Sequence, residues 1–333
     1  MADFDALLLT SFGGPDGPDD VLPFLENVVR HRPVPRSRLE EVAEHYSAFG
    51  GVSPINAENR ALLTALIAEL NANGPPLSVY WGNRNWHPLL EDTVRQMADD
   101  GIRHALAFCT SAFGSYPGCR QYREDLQQAQ AAIGERAPRI DKLRLFYNHP
   151  GFVEVMAERA GEALAQMPED RRDSVAVVFT AHSLPVSMAN SSPYQRQLEE
   201  ACRLVAERVG VRHWHLAFQS RSGPPTQPWL EPELAQTIRS IASAGGHYLV
   251  LVPIGFVSEH MEVVYDLDVE AAGLCEELGL DMVRAGTVGC HPRFVQMIRQ
   301  LVTERIEPLT PRLALGNLGT PPDACSPDCC PRP

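Results

Sequence analysis

The sequence predicts an α/β protein of two doubly wound halves, each on a parallel sheet, with a cleft between them and a Pro/Cys-rich C-terminal arm. Three observations carry that expectation. Short runs that are apolar throughout recur along the 333 residues, as in strands covered on both faces. Longer stretches with helical periodicity separate them. Chemistry-bearing, Gly- and Pro-rich segments directly follow the runs, which is where doubly wound sheets bind ligands.

In the first half the expected strands are DALLLTSF (5–12), LSVYWGN (77–83), HALAFCTS (104–111) and LRLFYNH (143–149). In the second they are SVAVVFTAH (174–182), HWHLAFQS (213–220), HYLVLVPI (247–254) and MVRAGTVG (282–289). ENRALLTALIAEL, HPLLEDTVRQMADD, GFVEVMAERAGEALAQM and YQRQLEEACRLVAERVG read as helices between them. These patterns divide the chain into 1–150, 151–307 and an arm at 308–333, with no strong sequence repeat. The arm is too rich in proline to be a packed element.

An apolar content of 44% supplies a full core, and a net charge of −13 argues against a general grip on nucleic acid or an anionic membrane. No apolar run approaches the roughly 18 residues of a spanning helix; YLVLVPIGFV is broken by Pro253. MADFDALLLT has neither the basic segment nor the cleavage site of a signal peptide, so a cytoplasmic protein is expected. In a reducing compartment eight cysteines speak for metal or redox chemistry before disulfides.

The segments after the strands hold the candidates. FGGPDG (12–17) lacks both GxGxxG and a GK[ST] ending, so it is a tight turn or a close approach to a flat ligand. TAHSLP sets His182 just past a buried strand, where a neutral imidazole accepts a proton or binds a metal, or simply hydrogen-bonds. SEHMEVVYDLDVEA predicts a helix from about Ser258, with Glu262, Asp266 and Glu270 at i, i+4 and i+8. Such a row is either a solvated face or a track for a divalent cation. RHRPVPRSR (30–38) gathers Arg30, His31, Arg32, Arg36 and Arg38, a solvated loop or an anchor for several carboxylates. NRNWHP and QSRSGPPTQPW place Trp86 and Trp229 beside rigid turns, as packing residues or as walls of a slot for a planar ligand.

Together, SFGGPDGPDDVLPFLENV, HYSAFGGVSPIN, TAHSLP, FQSRSGPPTQPWLEP and PIGFVSEHMEVVYDLDVE resemble the ferrochelatase family, in its order and over residues 5 to about 305. The resemblance implies two Rossmann-like halves with a porphyrin cleft, and insertion of Fe2+ with release of two protons. It gives His182 proton removal and metal contact, and Glu262 iron delivery or proton relay. Asp266 and Glu270 match a secondary divalent-ion track. Arg30 and Ser53 match propionate contacts, with Tyr46 and Tyr122 beside them. Phe12 stands where some bacterial relatives carry an iron-ligating tyrosine, so packing against the macrocycle replaces ligation.

A subset of the family carries a [2Fe–2S] cluster on one internal cysteine and three C-terminal ones. Cys119, Cys325, Cys329 and Cys330 match that set; a four-cysteine zinc site uses the same atoms. Cys109, Cys202, Cys275 and Cys290 are expected to be packing residues. Cluster-bearing bacterial members act mainly on coproporphyrin III, whose four propionates suit the arginine-rich 30–38 segment; protoporphyrin IX is the alternative substrate. A cobalt or nickel chelatase, and a heme carrier or iron–sulfur sensor, are the other classes. The expected state is a monomer in transient contact with neighbouring heme-pathway enzymes, with no nucleic-acid partner.

Overall fold

Runs such as ALLLTS and AVVFTAH become strands because only pairing on both edges satisfies a backbone whose side chains are apolar on both faces. The structure, a computed structural model, describes residues 4–30, 33–224 and 226–332; His31 and Arg32 of the basic segment lie outside them. The strands are β1 (Ala6–Ser11), β2 (Ser78–Asn83), β3 (His104–Cys109), β4 (Arg139–Lys142), β5 (Ala176–His182), β6 (Trp214–Gln219), β7 (Tyr248–Val252) and β8 (Asp281–Arg284). They form two parallel four-stranded sheets, ordered β2-β1-β3-β4 and β6-β5-β7-β8. The two orders are equivalent, although no repeat is visible in the sequence.

Two compact units hold the sheets. One comprises Met1–Thr110, Gln121–Arg144 and Ile298–Pro311; the other comprises Ser111–Arg120, Leu145–Met297 and Arg312–Pro333. In the first unit, Ala6, Leu8, Val94, Met97, Ala105 and Ala107 belong to one buried cluster. In the second, Val178, Ile238, Leu249, Leu251, Val263 and Leu267 do the same. Each fully buried Leu, Val or Ile contributes about 1.5–3 kcal/mol.

Two expected strands are corrected. LRLFYNH is buried but is not a strand: Leu143 N–H donates to Ala107 O (2.8 Å) just past the end of the ladder, and the chain then passes to the second unit at Leu145. There Phe146 packs edge-on against Phe152 and Phe294, both with centroids 5.8 Å away. The pairing belongs to the polar RIDK before it, which is β4. MVRAGTVG likewise gives only the short β8, which begins at Asp281.

The acidic helix is corrected too. It starts at Met261, not near Ser258, because His260 caps it by accepting Glu262 N–H at Nδ1 (3.2 Å). After one α-helical segment (Met261–Tyr265) it widens into a π-helical segment (Asp266–Ala271) before the α-helix Ala272–Leu278. A π turn is wider than an α turn, so the three carboxylates do not form the straight row that i, i+4, i+8 spacing implies. Glu270 faces solvent, while Asp266 is partly buried.

Candidate active site

β5 is buried from Val177 to Ala181 and emerges at its last residue, so the strand delivers His182 to the carboxyl edge of its sheet. Tyr194 O–H donates to the His182 carbonyl (2.9 Å). The His182 ring is fixed as well, with Nδ1 2.5 Å from Ser183 O. A carbonyl only accepts, so Nδ1 carries a proton and Nε2 is the atom left for chemistry.

Glycine brings Glu262 to that atom. After β7 the chain crosses β5 so closely that a Cβ on Gly255 would stand 2.7 Å from Ala181 Cα, and Gly255 N–H donates to Thr180 O (3.0 Å). Glycine alone fits this approach. The helix that follows puts Glu262 Oε1 3.5 Å from His182 Nε2. Gln219, the register partner of His182 on β6, ties the pieces together. Its Nε2 donates to Glu262 O (2.5 Å) and Asp266 Oδ2 (3.2 Å), and its backbone O accepts Ser183 N–H (2.8 Å).

These contacts shift the proton affinities. Burial disfavours the His182 imidazolium, but the Glu262 charge and hydrogen bond, the Ser183 carbonyl and Asp266 outweigh it and raise the pKa. Burial likewise opposes the Glu262 carboxylate, but the His182 charge and hydrogen bond and the nearby His260 pull its pKa down. Water still reaches both side chains, 30% and 50% exposed, and screens the pair. The direction of both shifts is toward an imidazolium–carboxylate couple. Asp266 goes the other way: burial, then Glu262 and Glu270, push it up to about 7 against hydrogen bonds from Ser220 and Gln219. The Ser220 hydroxyl donates to Asp266 Oδ2 from a backbone at φ 59°, a left-handed conformation rare outside glycine.

The first unit carries the other matched residues. Phe12 follows β1 and is 38% exposed. Behind it an aromatic cluster runs through Phe24 to Tyr46 and Trp86, with centroids 6.1–6.2 Å apart. The Arg84 guanidinium lies 5.7 Å from the Phe12 ring centroid and 4.5 Å from that of Tyr122, and its Nε donates to Asp125 Oδ2 (2.5 Å). Arg84 and Tyr122 are buried, as are Tyr46 and Ser53; Ser53 N–H donates to Pro15 O (2.9 Å). Arg30 is exposed, with Nη1 on Asn27 O and Asn85 Oδ1. Arg84, His260 and Gln219 lie inside NRNWHP, SEHMEV and FQSRSG, but nothing in those segments marks these three residues apart from their neighbours.

The four thiols of the predicted cluster set are neighbours in the second unit. Burial pushes the Cys330 thiol up to about 12, with Cys329, Cys119 and Cys325 adding to it. Arg120 Nη1 donates to Cys329 O (3.2 Å), joining the Cys119 segment to the tail. Even so, among the described residues no three His, Cys, Asp or Glu side chains are grouped to hold a metal ion. The two observations differ in reach: charges act over several ångström, whereas one ion needs every ligand within about 2.0–2.6 Å. Of the cysteines expected to pack, Cys109, Cys202 and Cys275 are buried; Cys290 is exposed, in the turn before the helix Pro292–Ile306.

Two parallel four-stranded sheets of this order are consistent with the chelatase fold. A solved structure of the sirohydrochlorin chelatase SirB from Bacillus subtilis subspecies spizizenii, in complex with cobalt, shares it with a TM-score of 0.54 at 10% identity, over 92% of this chain and 99% of that one. The family model "Ferrochelatase" matches residues 4–306. A protein named ferrochelatase from Rhodopirellula baltica is 54% identical over 98% of this chain and 93% of its own. One named coproporphyrin III ferrochelatase from Frankia alni is 56% identical over 98% and 86%. The chain belongs to the ferrochelatase family.

Proposed function

We propose that this protein is a coproporphyrin III ferrochelatase, inserting Fe2+ into coproporphyrin III to give iron coproporphyrin and two protons in heme synthesis. The observation that carries the reading is the His182–Glu262 contact at the carboxyl end of β5, in a chain whose relatives bear that name.

Metal insertion must take protons from weakly acidic pyrrole nitrogens and strip water from the iron. With Nδ1–H held by Ser183 O, His182 Nε2 is the acceptor. Before iron arrives, Glu262 keeps that imidazole protonated. A dication approaching Glu262 competes for the carboxylate and repels the imidazolium, so the proton leaves and the Nε2 lone pair becomes available. Asp266, near pH 7 in its affinity, takes the proton and passes it on. Glu270, exposed beyond it, is where a hydrated ion dwells first. On the ring side, Phe12 packs on the macrocycle and Arg30 meets a propionate, with Tyr46, Ser53 and Tyr122 backing them.

Cys119, Cys325, Cys329 and Cys330 would hold a [2Fe–2S] cluster. Two irons divide four thiolates between them, which suits a looser set than a single zinc ion accepts. Bound there, the cluster supplies a one-electron centre and a cross-link between the tail and the Cys119 segment. The enzyme acts as a cytoplasmic monomer, in transient contact with neighbouring heme-pathway enzymes. Among the described residues no helix is long and apolar enough to cross a membrane.

The test is an anaerobic assay with Fe2+ and either coproporphyrin III or protoporphyrin IX. The expected kcat/KM is higher for coproporphyrin III by about tenfold, equivalent to ~1.4 kcal/mol. Parity or reversal overturns the substrate assignment, and no insertion into either ring overturns the function.

A further inference from the structure

The helix Tyr194–Arg208 has three polar side chains buried in succession at i, i+3 and i+6: Tyr194, Gln197 and Glu200, 7%, 8% and 9% exposed. Buried polar groups on an amphipathic helix are there for their partners. Each of the three grips a different segment. Tyr194 O–H donates to the carbonyl of His182 (2.9 Å). Gln197 Oε1 accepts Gly114 N–H (2.7 Å), from the segment that carries Cys119. Glu200 Oε1 accepts Asn317 N–H (2.6 Å), from the arm that carries the other three thiols, while its Oε2 holds Arg203.

The arm is seated with little tolerance. Asn148 Nδ2 donates to Leu315 O (3.2 Å) and Gly319 O (2.8 Å), and Leu315 N–H returns to Asn148 O (2.8 Å). Between these points Gly316 lies at φ 73°, and a Cβ there would fall 1.9 Å from Glu200 Oε1. Six residues of helix span about 9 Å, so one packed element joins the three grips.

We infer that Gln197 and Glu200 are positioning residues of the iron-insertion reaction: by gripping the Cys119 segment and the C-terminal arm they fix this helix and, through Tyr194, the backbone of His182. The inference rests on the ferrochelatase reading, and it gives the arm a role at the reacting atoms that needs no electron transfer. His182 Nε2 must meet a pyrrole nitrogen, and misplacement by about an ångström costs up to 100-fold in rate.

The test is a double-mutant cycle on the full-length holoenzyme, with kcat and KM for iron insertion measured for wild type, Tyr194→Phe, Gly316→Ala and the double variant. Gly316→Ala is expected to lower kcat about fivefold with KM for the porphyrin within about twofold, and the double variant should be no slower than Tyr194→Phe alone, because residues acting through one strut are not additive. Fully multiplicative effects overturn the inference. Should Gly316→Ala fail to fold, Glu200→Ala enters the same cycle. Glu200→Gln, which keeps an acceptor for Asn317 N–H, should then restore kcat; its failure to do so also overturns the inference. A wild type that inserts no iron sinks the functional reading instead, whereas an active wild type with an additive cycle sinks only this one.

Discussion

The ends of β1 and β5 occupy equivalent places in two sheets of equivalent order, yet their chemistry is opposite. Ser11 pairs with Asn83 where His182 pairs with Gln219. Beyond β1 comes an aromatic wall braced by a buried ion pair in which Arg84 and Asp125 complete each other. Beyond β5 come groups that perturb one another: an imidazole raised, a carboxyl lowered and a second carboxyl raised. Among the described residues the buried Gln219 Oε1 has no hydrogen-bond partner. Under the proposed function, a shared scaffold thus serves shape in one unit and proton traffic in the other. Groups whose environments push their affinities apart are the ones that do acid–base work.

The largest effect expected outside the imidazole–carboxylate pair is at the thiols. If the proposed cluster is held there, anaerobically purified protein should show its visible absorbance and Cys330→Ser should lose it; unchanged iron and sulfide content would refute that ligand set. Next comes the brace of the aromatic wall. Arg84→Met leaves the carboxylate of Asp125, 14% exposed, without this partner, so it should cost about 3 kcal/mol in denaturant unfolding, the low end for breaking a buried pair. A cost under ~1 kcal/mol, the level of a surface pair, would mean that the brace is solvated.

Phe12→Ala sharpens the contrast between shape and proton traffic. It should raise KM for the porphyrin about fivefold, as lost apolar contact does, with kcat nearly unchanged. A fall in kcat alone would place Phe12 in the chemistry.

The smallest effect is the most specific to the β5 end. Asp266 binds its proton more tightly folded than its ordinary 3.8 allows, so its contribution to stability is full below about pH 3.8 and lost as pH rises through about 7. Asp266→Asn should therefore melt at or below wild type near pH 4 and a few degrees above it at pH 8, a shift of the size ~1 kcal/mol produces in a domain this large. The His182–Glu262 pair has the complementary profile. Glu262 stabilises above its unfolded 4.5 and loses that as pH falls through about 2; His182 stabilises below its unfolded 6.5 and loses that as pH rises through about 9. Its help is greatest between pH 4.5 and 6.5. A melting difference for Asp266→Asn that does not change with pH would contradict the raised affinity.

Much of the scaffold was legible because ALLLTS and AVVFTAH are apolar throughout, and only a doubly covered strand explains that pattern. RIDK was not, since three of its four residues are only partly buried and nothing in its composition marks a strand. LRLFYNH misled for the converse reason: burial is visible in composition, but pairing is not. The π-helical segment was hidden because DLDVEA has a helical pattern under either winding. His182 and Glu262 could be named individually from residues 80 positions apart, but the 3.5 Å contact depends on Gly255 crossing Ala181, a tertiary event. Arg84–Asp125 and the Tyr194 helix's three grips also join residues distant in sequence. The tail thiols carried no signal of their own partners; only the family resemblance supplied Cys119.

The most direct measurement is anaerobic iron insertion into coproporphyrin III by the His182→Ala, Glu262→Ala double variant, with circular dichroism to establish folding. Loss of the base and its carboxylate partner should lower kcat by at least about 100-fold in a normally folded protein, the lower end of what general acid–base catalysis contributes. A folded double variant that inserts iron at the wild-type rate would contradict the account.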